Sequence, residues 1–201
     1  MKDLVKTLTQ DSGEVEMYTP YFITLAAQRT MGGIDLDPAS CQEANHIVHA
    51  KKFYTKEDNG FILPWSGRVW LNHPFGKGWT ACTDKCIKST CVKKGHMYED
   101  IPGNEEWINK LLNEHTFGDV TESCNICFAS TSEKWFQPLM YYPQCYLTPR
   151  TNYIKPGGKK TKQVLKGSVV TYIGPYIEAF YEHFNQHGTV TVPFKPQRRK
   201  K

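Results

Sequence analysis

The chain carries a four-residue motif, Asn72-His73-Pro74-Phe75, directly after the apolar run at residues 69–71. The Asn72 side-chain carbonyl can accept a hydrogen bond from an exocyclic amine. Proline fixes its own φ and restricts the preceding residue to extended conformations, so the His73 carbonyl would be a second fixed acceptor. Phe75 adds a ring on which a flat heterocycle can stack. Two acceptors aimed at one amine make its nitrogen more electron-rich as it attacks an electrophile. The motif therefore predicts the methylation of an amino group.

The pattern around the motif predicts the strands and helices that position it. Apolar runs predict strands at 34–37, 53–54, 69–71, 126–129, 144–147 and 169–173. Helical spacing predicts helices at 21–30, 40–50, 105–115, 132–140 and 175–186. The first helix has Thr19 as a candidate N-cap and Pro20 at its first position. Strands that alternate with helices predict an α/β fold with a mostly parallel sheet and helices on both faces. Asp37 and Asn72 both fall at predicted strand ends, where such sheets bind ligands.

The motif is similar to the Asn-Pro-Pro-Tyr/Phe motif of DNA amino-methyltransferases, with His73 where that family usually has proline. The segments before it resemble one branch, the small phage-type (Dam-like) DNA N6-adenine methyltransferases. They stand in the family's order: Tyr18-Thr19-Pro20, Ile34-Asp35-Leu36-Asp37-Pro38-Ala39-Ser40, Phe53-Tyr54-Thr55-Lys56-Glu57-Asp58-Asn59-Gly60 and Trp65-Ser66-Gly67. Trp135-Phe136 and the block around Arg150 also fit. The resemblance covers most of residues 15–174. It implies a Rossmann-like methyltransferase sheet within a domain at 15–193.

The resemblance implies S-adenosylmethionine as the methyl donor. This donor presents an ammonium, a carboxylate, a ribose diol and an adenine, so acids at strand ends and a turn of small residues suit it. Asp35 and Asp37 supply acids, the pair Ala39-Ser40 permits close approach at a helix N-terminus, and Asp58 would meet the ribose or the adenine. The family's glycine-rich loop is replaced here by the segment at 37–40. The implied donor-site residues are Tyr18, Thr19, Pro20, Asp35, Asp37, Pro38, Ala39, Ser40 and Asp58.

The acceptor that the resemblance implies is an adenine flipped out of double-stranded DNA. Phe75 would stack on the base, with Tyr54 or Trp65 as the opposite wall. His73 is expected to act through its backbone carbonyl, and the alternative is a protonated side chain that either interferes with the reaction or contacts a DNA phosphate. The cations expected to contact phosphates are Arg150, Lys155, Lys159, Lys160 and Lys162, followed by Lys166. A basic tail at 194–201 either adds to them or is a solvated end.

A cysteine-rich insert at 78–103 follows the motif. Clustered cysteines in a cytosolic chain are more often metal ligands than disulfides. The spacing predicts a structural Zn²⁺ site formed by Cys82, Cys86 and Cys91, with His96 or Cys124 as the fourth ligand. Such a site would contact DNA or stiffen the loop that does.

Three further cysteines have simpler interpretations. Cys127 either joins the metal site with its neighbour at position 124 or is buried in the fold, and Cys41 and Cys145 are expected to be small core residues.

The bulk properties fit this interpretation without requiring it. A chain of 201 residues is long enough for one domain with a core, and its net charge of +5 favours a polyanionic partner. Residues 1–14 form a polar lead-in without the apolar core of a signal peptide, and no run approaches the roughly 20 apolar residues of a membrane span. We expect a cytoplasmic protein, in a bacterium or a phage-infected cell, with no membrane partner. The pattern specifies no oligomeric state.

Two other classes of function use the same features. The motif also occurs in enzymes that methylate RNA bases or a protein glutamine, although that scaffold usually has a full glycine-rich donor loop. The second alternative is a non-catalytic, zinc-containing DNA-binding module. Cytosine methylation more often has serine at the first motif position, so adenine is favoured over cytosine.

Overall fold

The computed structural model describes residues 17–83, 85–89, 91, 95–158, 161 and 166–194. The predicted lead-in at 1–14 and the tail beyond residue 194 lie outside these ranges. The helices are α1 (Tyr21–Met31), α2 (Gln42–Val48), α3 (Asn104–Phe117), a 3₁₀ helix (Gln137–Tyr141) and α4 (Ile177–Phe184). The strands are β1 (Leu36–Asp37), β2 (Lys52–Phe53), β3 (Ser66–Leu71), β4 (Asp119–Phe128), β5 (Gln144–Leu147), β6 (Ser168–Ile173) and β7 (Gly188–Thr191).

The strands form one seven-stranded sheet in the order β2-β1-β3-β4-β6-β5-β7. Strands β2, β1, β3 and β4 are parallel, with Leu36 opposite Val69 and Leu71 opposite Asn125. The remaining pairs, β4 with β6, β6 with β5 and β5 with β7, are antiparallel. The carboxyl ends of the four parallel strands therefore lie at one edge of the sheet.

Helices cover both faces of the sheet, as the strand–helix alternation predicts. On one face α1 and α4 bury Ile23, Phe180 and Phe184 against the side chains of Trp70 and Ile126. On the other face Trp107 and Leu111 of α3 pack over the sheet, in a cluster that includes Val69 and Leu71. The central strands point side chains alternately to two cores, so β3 is held from both sides. The mixed α/β class with a parallel centre is confirmed.

The start of α1 differs from the prediction by one position. Pro20 and not Thr19 is the N-cap, with φ −57° and ψ 141° and no side-chain capping hydrogen bond, so the predicted cap was wrong. The helix ends at Gly32, whose φ of 70° is a left-handed conformation that glycine adopts without steric cost.

Three elements differ from the sequence predictions. Strand β4 begins at Asp119, well before the predicted 126, because its buried Glu122, Ser123 and Asn125 hide the strand from an apolar count. The helix predicted at 132–140 is a set of turns followed by a 3₁₀ helix with proline near its start. Strand β7, Gly188–Thr191, alternates partly buried and exposed residues at the sheet edge and was not predicted.

The described part of the chain contains no helix that combines the length and apolarity needed to span a membrane.

Candidate functional site

The sheet reverses its direction of growth between β1 and β3. The chain adds β2 on one side of β1 and then crosses back to place β3 on the other side. In open α/β sheets a ligand binds beyond the carboxyl ends of the strands at such a reversal. Asp37 is the last residue of β1, and Asn72 follows the last residue of β3. The two predicted site segments therefore flank the reversal point.

Residues 17–20 connect the two segments across this edge. The Asn72 amide nitrogen donates a hydrogen bond to the Met17 carbonyl at 2.8 Å. The Tyr18 hydroxyl lies 3.3 Å from Cys41 Sγ and 3.4 Å from a Glu43 carboxylate oxygen, at the start of α2. The structure thus brings together the residues before α1, the turn after β1 and the motif after β3. These were three separate segments of the sequence.

The Asn72 side chain is oriented by this contact. Because its amide nitrogen is used by Met17, the side-chain oxygen Oδ1 is the atom left to accept a hydrogen bond, and no described residue donates to it. Phe75 is partly buried, with its ring centroid 4.7 Å from that of Phe128 and 5.9 Å from that of Tyr153. A fixed acceptor and a supported ring stand within one turn.

The His73 side chain is a packing element of the turn. It is 1 % exposed and lies roughly parallel to the Trp107 indole, at 6.3 Å between ring centroids. Its Nε2 is 2.9 Å from Asn104 Oδ1, which fits donation from Nε2–H, and Nδ1 has no partner among the described residues. Burial lowers the pKa of His73 to about 4, so the imidazole is neutral near pH 7. A buried, neutral ring is not placed to contact a phosphate, which does not support the alternative expectation of a protonated His73 beside DNA.

Asp37 is a buried carboxyl group at the end of β1. It is 2 % exposed, and no basic side chain of the described residues pairs with it. Burial raises its pKa to about 7, while the Ser40 side chain and then the Ala39 amide, the latter at 3.2 Å from Oδ1, favour the ionised form. The turn behind it is tight, because a side chain at Gly60 would collide with the Pro38 carbonyl. The Ser40 amide donates to the Tyr54 carbonyl at 2.9 Å, which closes the turn.

Two other acids of the predicted donor site have local partners. Asp35 receives two side-chain hydrogen bonds from Arg68, at 2.7 and 2.9 Å, and forms a second ion pair with Lys51 at 2.8 Å. The hydrogen bonds from Arg68 hold the Asp35 pKa well below its usual range. Asp58 is exposed and accepts from the amide and hydroxyl of Thr55, both at 2.8 Å, which lowers its pKa. Among the predicted donor-site acids, Asp37 is therefore the buried one, and no cation of the described residues pairs with it.

Among residues 18–20, which were predicted to help bind the methyl donor, Thr19 has a side chain that pairs with no described residue. Thr19 is 2 % exposed, and its hydroxyl has no hydrogen-bond partner among the described residues. Pro20 is partly buried at the start of α1. A buried hydroxyl without a partner costs free energy unless a ligand or water satisfies it.

The proposed opposite wall of a base pocket is part of the core instead. Trp65 is 1 % exposed, stacks on Trp107 and donates from Nε1 to the Gly60 carbonyl at 2.8 Å. Tyr54 is 7 % exposed and bonds to the Pro64 carbonyl. Neither ring is available for stacking on a base in this conformation.

The segment at 150–158, which carries Arg150 and Lys155, lies beside residues 17–20 and the start of α2. Ile154 and Tyr18 exchange two backbone hydrogen bonds, at 2.7 and 2.9 Å, and the Gly157 amide donates to Glu43. Arg150 is exposed and Lys155 partly exposed on this segment, while Lys166 lies over the Phe128 ring. The other predicted phosphate contacts, Lys159, Lys160 and Lys162, lie outside the described residues.

The insert brings four potential metal ligands together. The ligand atoms of Cys82, Cys86, Cys91 and His96 all lie within 4.8 Å of one another, and this cluster could bind a metal ion. The Cys82 and Cys91 sulfurs are 3.4 Å apart. Hydrogen bonding to His96 lowers the pKa of the Cys82 thiol, which favours the thiolate form that binds metals. Of the two predicted fourth ligands, the structure selects His96.

Cys124 is not part of this cluster. It lies in β4, fully buried among Trp70, Ile126 and Tyr172, and burial raises its pKa well above the usual range. The prediction of Cys124 as an alternative ligand was wrong because the strand extends back to Asp119 and carries this residue into the core.

The other cysteines divide between the core and a helix end. Cys127 and Cys145 are fully buried. Cys41 is partly exposed and serves as the N-cap of α2, accepting from the Ala44 amide, so the core placement predicted for it was wrong.

Two contributors to the site were missed from the sequence. Asn104 supports His73 from the start of α3, and the Met17 carbonyl orients Asn72. Each acts across more than thirty positions of the chain. An asparagine at a helix start is typical capping chemistry, and a main-chain carbonyl carries no sequence signal.

Comparison of the chain with models of known protein families, with characterised proteins and with solved structures produced no match.

Proposed function

We propose that the chain is an S-adenosylmethionine-dependent methyltransferase that acts on the exocyclic N6 amine of adenine in DNA. The observation that carries the proposal is the convergence of residues 17–20, the turn after Asp37 and the Asn72 motif at the reversal point of the sheet. A Rossmann-like methyltransferase fold is the finer interpretation of this mixed sheet. The sheet order and the parallel centre support it.

The residues at this edge fit the donor in two respects. Asp37 is a buried carboxyl without a cation partner among the described residues, and an ammonium group placed beside it would favour its ionised form. Thr19 offers a buried hydroxyl that a donor carboxylate would satisfy. When bound, S-adenosylmethionine supplies an electrophilic methyl group. We assign the ammonium to Asp37 rather than Asp35, whose two oxygens are already used by Arg68 and Lys51.

The motif supplies the acceptor side. Asn72 Oδ1 and the His73 carbonyl accept hydrogen bonds from the two N–H groups of the amine, which leaves its lone pair free to attack the methyl carbon. The amine nitrogen forms the new bond as the bond from that carbon to sulfur breaks, and the amine then releases one proton to solvent. Phe75 holds the base plane and excludes water from one side. No covalent enzyme intermediate and no strong base are needed.

Two arguments support DNA as the acceptor: the need to flip the base out of the duplex, and the positive charge beside the site. An adenine amine in a duplex must leave the stack to enter such a site, at a cost of a few kcal/mol. Arg150 and Lys155 lie on the segment paired with Tyr18, where they would meet the phosphates beside a flipped base.

For the ion at the insert cluster we propose Zn²⁺. Three thiolates and one imidazole are a ligand set typical of four-coordinate structural zinc, and they leave no open position for catalysis. The metal is therefore assigned a structural role, and no step of methyl transfer uses it.

The proposal is tested in two steps. Titration calorimetry with S-adenosylmethionine should show one binding site per chain, and absence of binding would exclude a methyltransferase. Labelled donor is then incubated with adenine-containing duplexes, with RNA and with a protein extract. We expect label in the duplex. Label in RNA or protein would keep the enzyme class and overturn the choice of DNA.

A further inference from the structure

Two segments of the insert meet at an isolated β-bridge and form a stem with few apolar contacts. We define the stem as residues 79–82 and 97–101. Trp79 and Ile101 exchange two backbone hydrogen bonds, each of 2.8 Å, and the Cys82 amide donates to the Met97 carbonyl at 2.6 Å. None of the three hydrophobic clusters of the fold includes a described stem residue. Ile101 is 44 % exposed and Tyr98 72 %. An isolated pair of short strands is marginally stable in water, so hydrogen bonds alone are a weak source of order here.

The metal ligands lie at the open end of the stem. Cys82 belongs to one segment of the stem, His96 immediately precedes the other, and Cys86 and Cys91 come from the loop between them. An ion bound by all four would close that loop and tie the two segments together. Metal binding of this kind contributes directly to the folding of small modules that lack a core.

The other end of the stem is joined to the acceptor turn, which we define as residues 72–76. Gly78 and Gly103 pack so closely that a side chain at Gly103 would collide with the Lys77 backbone. One residue further, the Asn104 amide donates to the Gly76 carbonyl at 2.7 Å. The Asn104 side chain also contacts His73 at 2.9 Å. Asn104 therefore contacts the acceptor turn at two points, next to the end of the stem at which Trp79 and Ile101 pair.

We propose that a zinc ion bound by Cys82, Cys86, Cys91 and His96 keeps the stem closed and thereby holds the acceptor turn in its working position. The ion is a positioning element outside the reaction, linked to the turn through the Trp79–Ile101 pair and Asn104. The effect on methyl transfer rests on the proposed function, whereas metal binding and ordering of the turn do not.

The first part of the test is metal content. The full chain is loaded with Zn²⁺, dialysed against a weak chelator and assayed for bound zinc. We expect about one zinc per chain, and a value near zero for Cys86→Ser. Cys41→Ser is the matched control, because this thiol lies outside the cluster, and it should keep its zinc. Wild-type chain without zinc would overturn the proposal.

The second part measures amide hydrogen exchange with and without zinc. Removal of the ion from wild-type chain should speed exchange at Trp79, Ile101 and Asn104 by roughly tenfold or more, reversibly on re-addition. The amide of Ile126 in central β4 should not change, which shows that the domain remains folded. Zinc binding without faster exchange at Asn104 after its removal would contradict the link between stem and turn. If the exchange changes as expected but no form methylates any acceptor, the proposed function fails and the metal link stands.

Discussion

Burial of neutral His73 makes the stability of the protein sensitive to acid. The pKa of His73 falls from 6.5 to about 4 on folding because burial beside Trp107 desolvates the ring, and the hydrogen bond to Asn104 only partly opposes this shift. Between these two values the unfolded chain binds a proton that the folded chain does not. The free energy of unfolding therefore decreases as the pH falls through this window, and the loss is complete below the folded pKa.

The magnitude follows from the two pKa values. Each pKa unit corresponds to about 1.4 kcal/mol, so the two-and-a-half-unit difference sets an upper limit of roughly 3.4 kcal/mol for the complete loss. Most of this change, roughly 2 kcal/mol, falls between pH 7 and pH 5. The stability of His73→Gln should lack this component, because glutamine does not titrate and is long enough to reach Asn104.

The assay is urea unfolding of both proteins at a series of pH values. His115 and His187, whose pKa values are also lowered by burial, contribute equally to both proteins and cancel in the difference. The reasoning is refuted if the two proteins lose the same stability on acidification. An NMR titration that places the His73 pKa near 6.5 would refute it as well.

Three further predictions concern the charges around the site. Asp37→Asn should weaken S-adenosylmethionine binding at least tenfold in calorimetry, because the ammonium loses its carboxylate. The same change should raise the unfolding free energy at pH 8 by about 2 to 4 kcal/mol, because a buried charge is removed. Unchanged donor affinity would argue against the role assigned to Asp37. Arg68→Met should lower the unfolding free energy by about 2 kcal/mol, since Asp35 loses its bidentate partner, and an unchanged midpoint would contradict this. Arg150→Ala with Lys155→Ala should weaken DNA binding and flatten its salt dependence, and an unaltered salt slope would exclude phosphate contacts.

The sequence was sufficient to predict those features that depend on residue type and on order along the chain. The ends of β1 and β3 follow from apolar runs that stop at Asp37 and before Asn72, and their common edge follows from parallel pairing. Three of the four potential metal ligands follow from cysteine spacing. The choice of His96 over Cys124 depends on where β4 begins, which its buried polar residues conceal.

The remaining features depend on contacts between distant segments. Arg68 forms an ion pair with Asp35 across 33 positions of the chain. Asp35 is therefore not available to bind the methyl donor, the role that the sequence predicted for it. The presence of a histidine at position 73 is explained by its contact with Asn104, 31 positions away, because the two side chains form a buried polar pair beside Trp107. Local periodicity describes each segment separately, so pairs of this kind become visible only when the sheet is assembled.

The central claim is that Asn72 directs an adenine amine toward a methyl donor, and single-turnover methyl transfer tests it most directly. Duplex DNA of mixed sequence is incubated with labelled S-adenosylmethionine, and N6-methyladenine is quantified for wild-type, Asn72→Ala and the exposed control Asn109→Ala. We predict N6-methyladenine with wild-type and control, and a roughly 100- to 1000-fold slower rate with Asn72→Ala at similar donor affinity. Equal rates for wild-type and Asn72→Ala, or no N6-methyladenine with wild-type chain, would contradict the account.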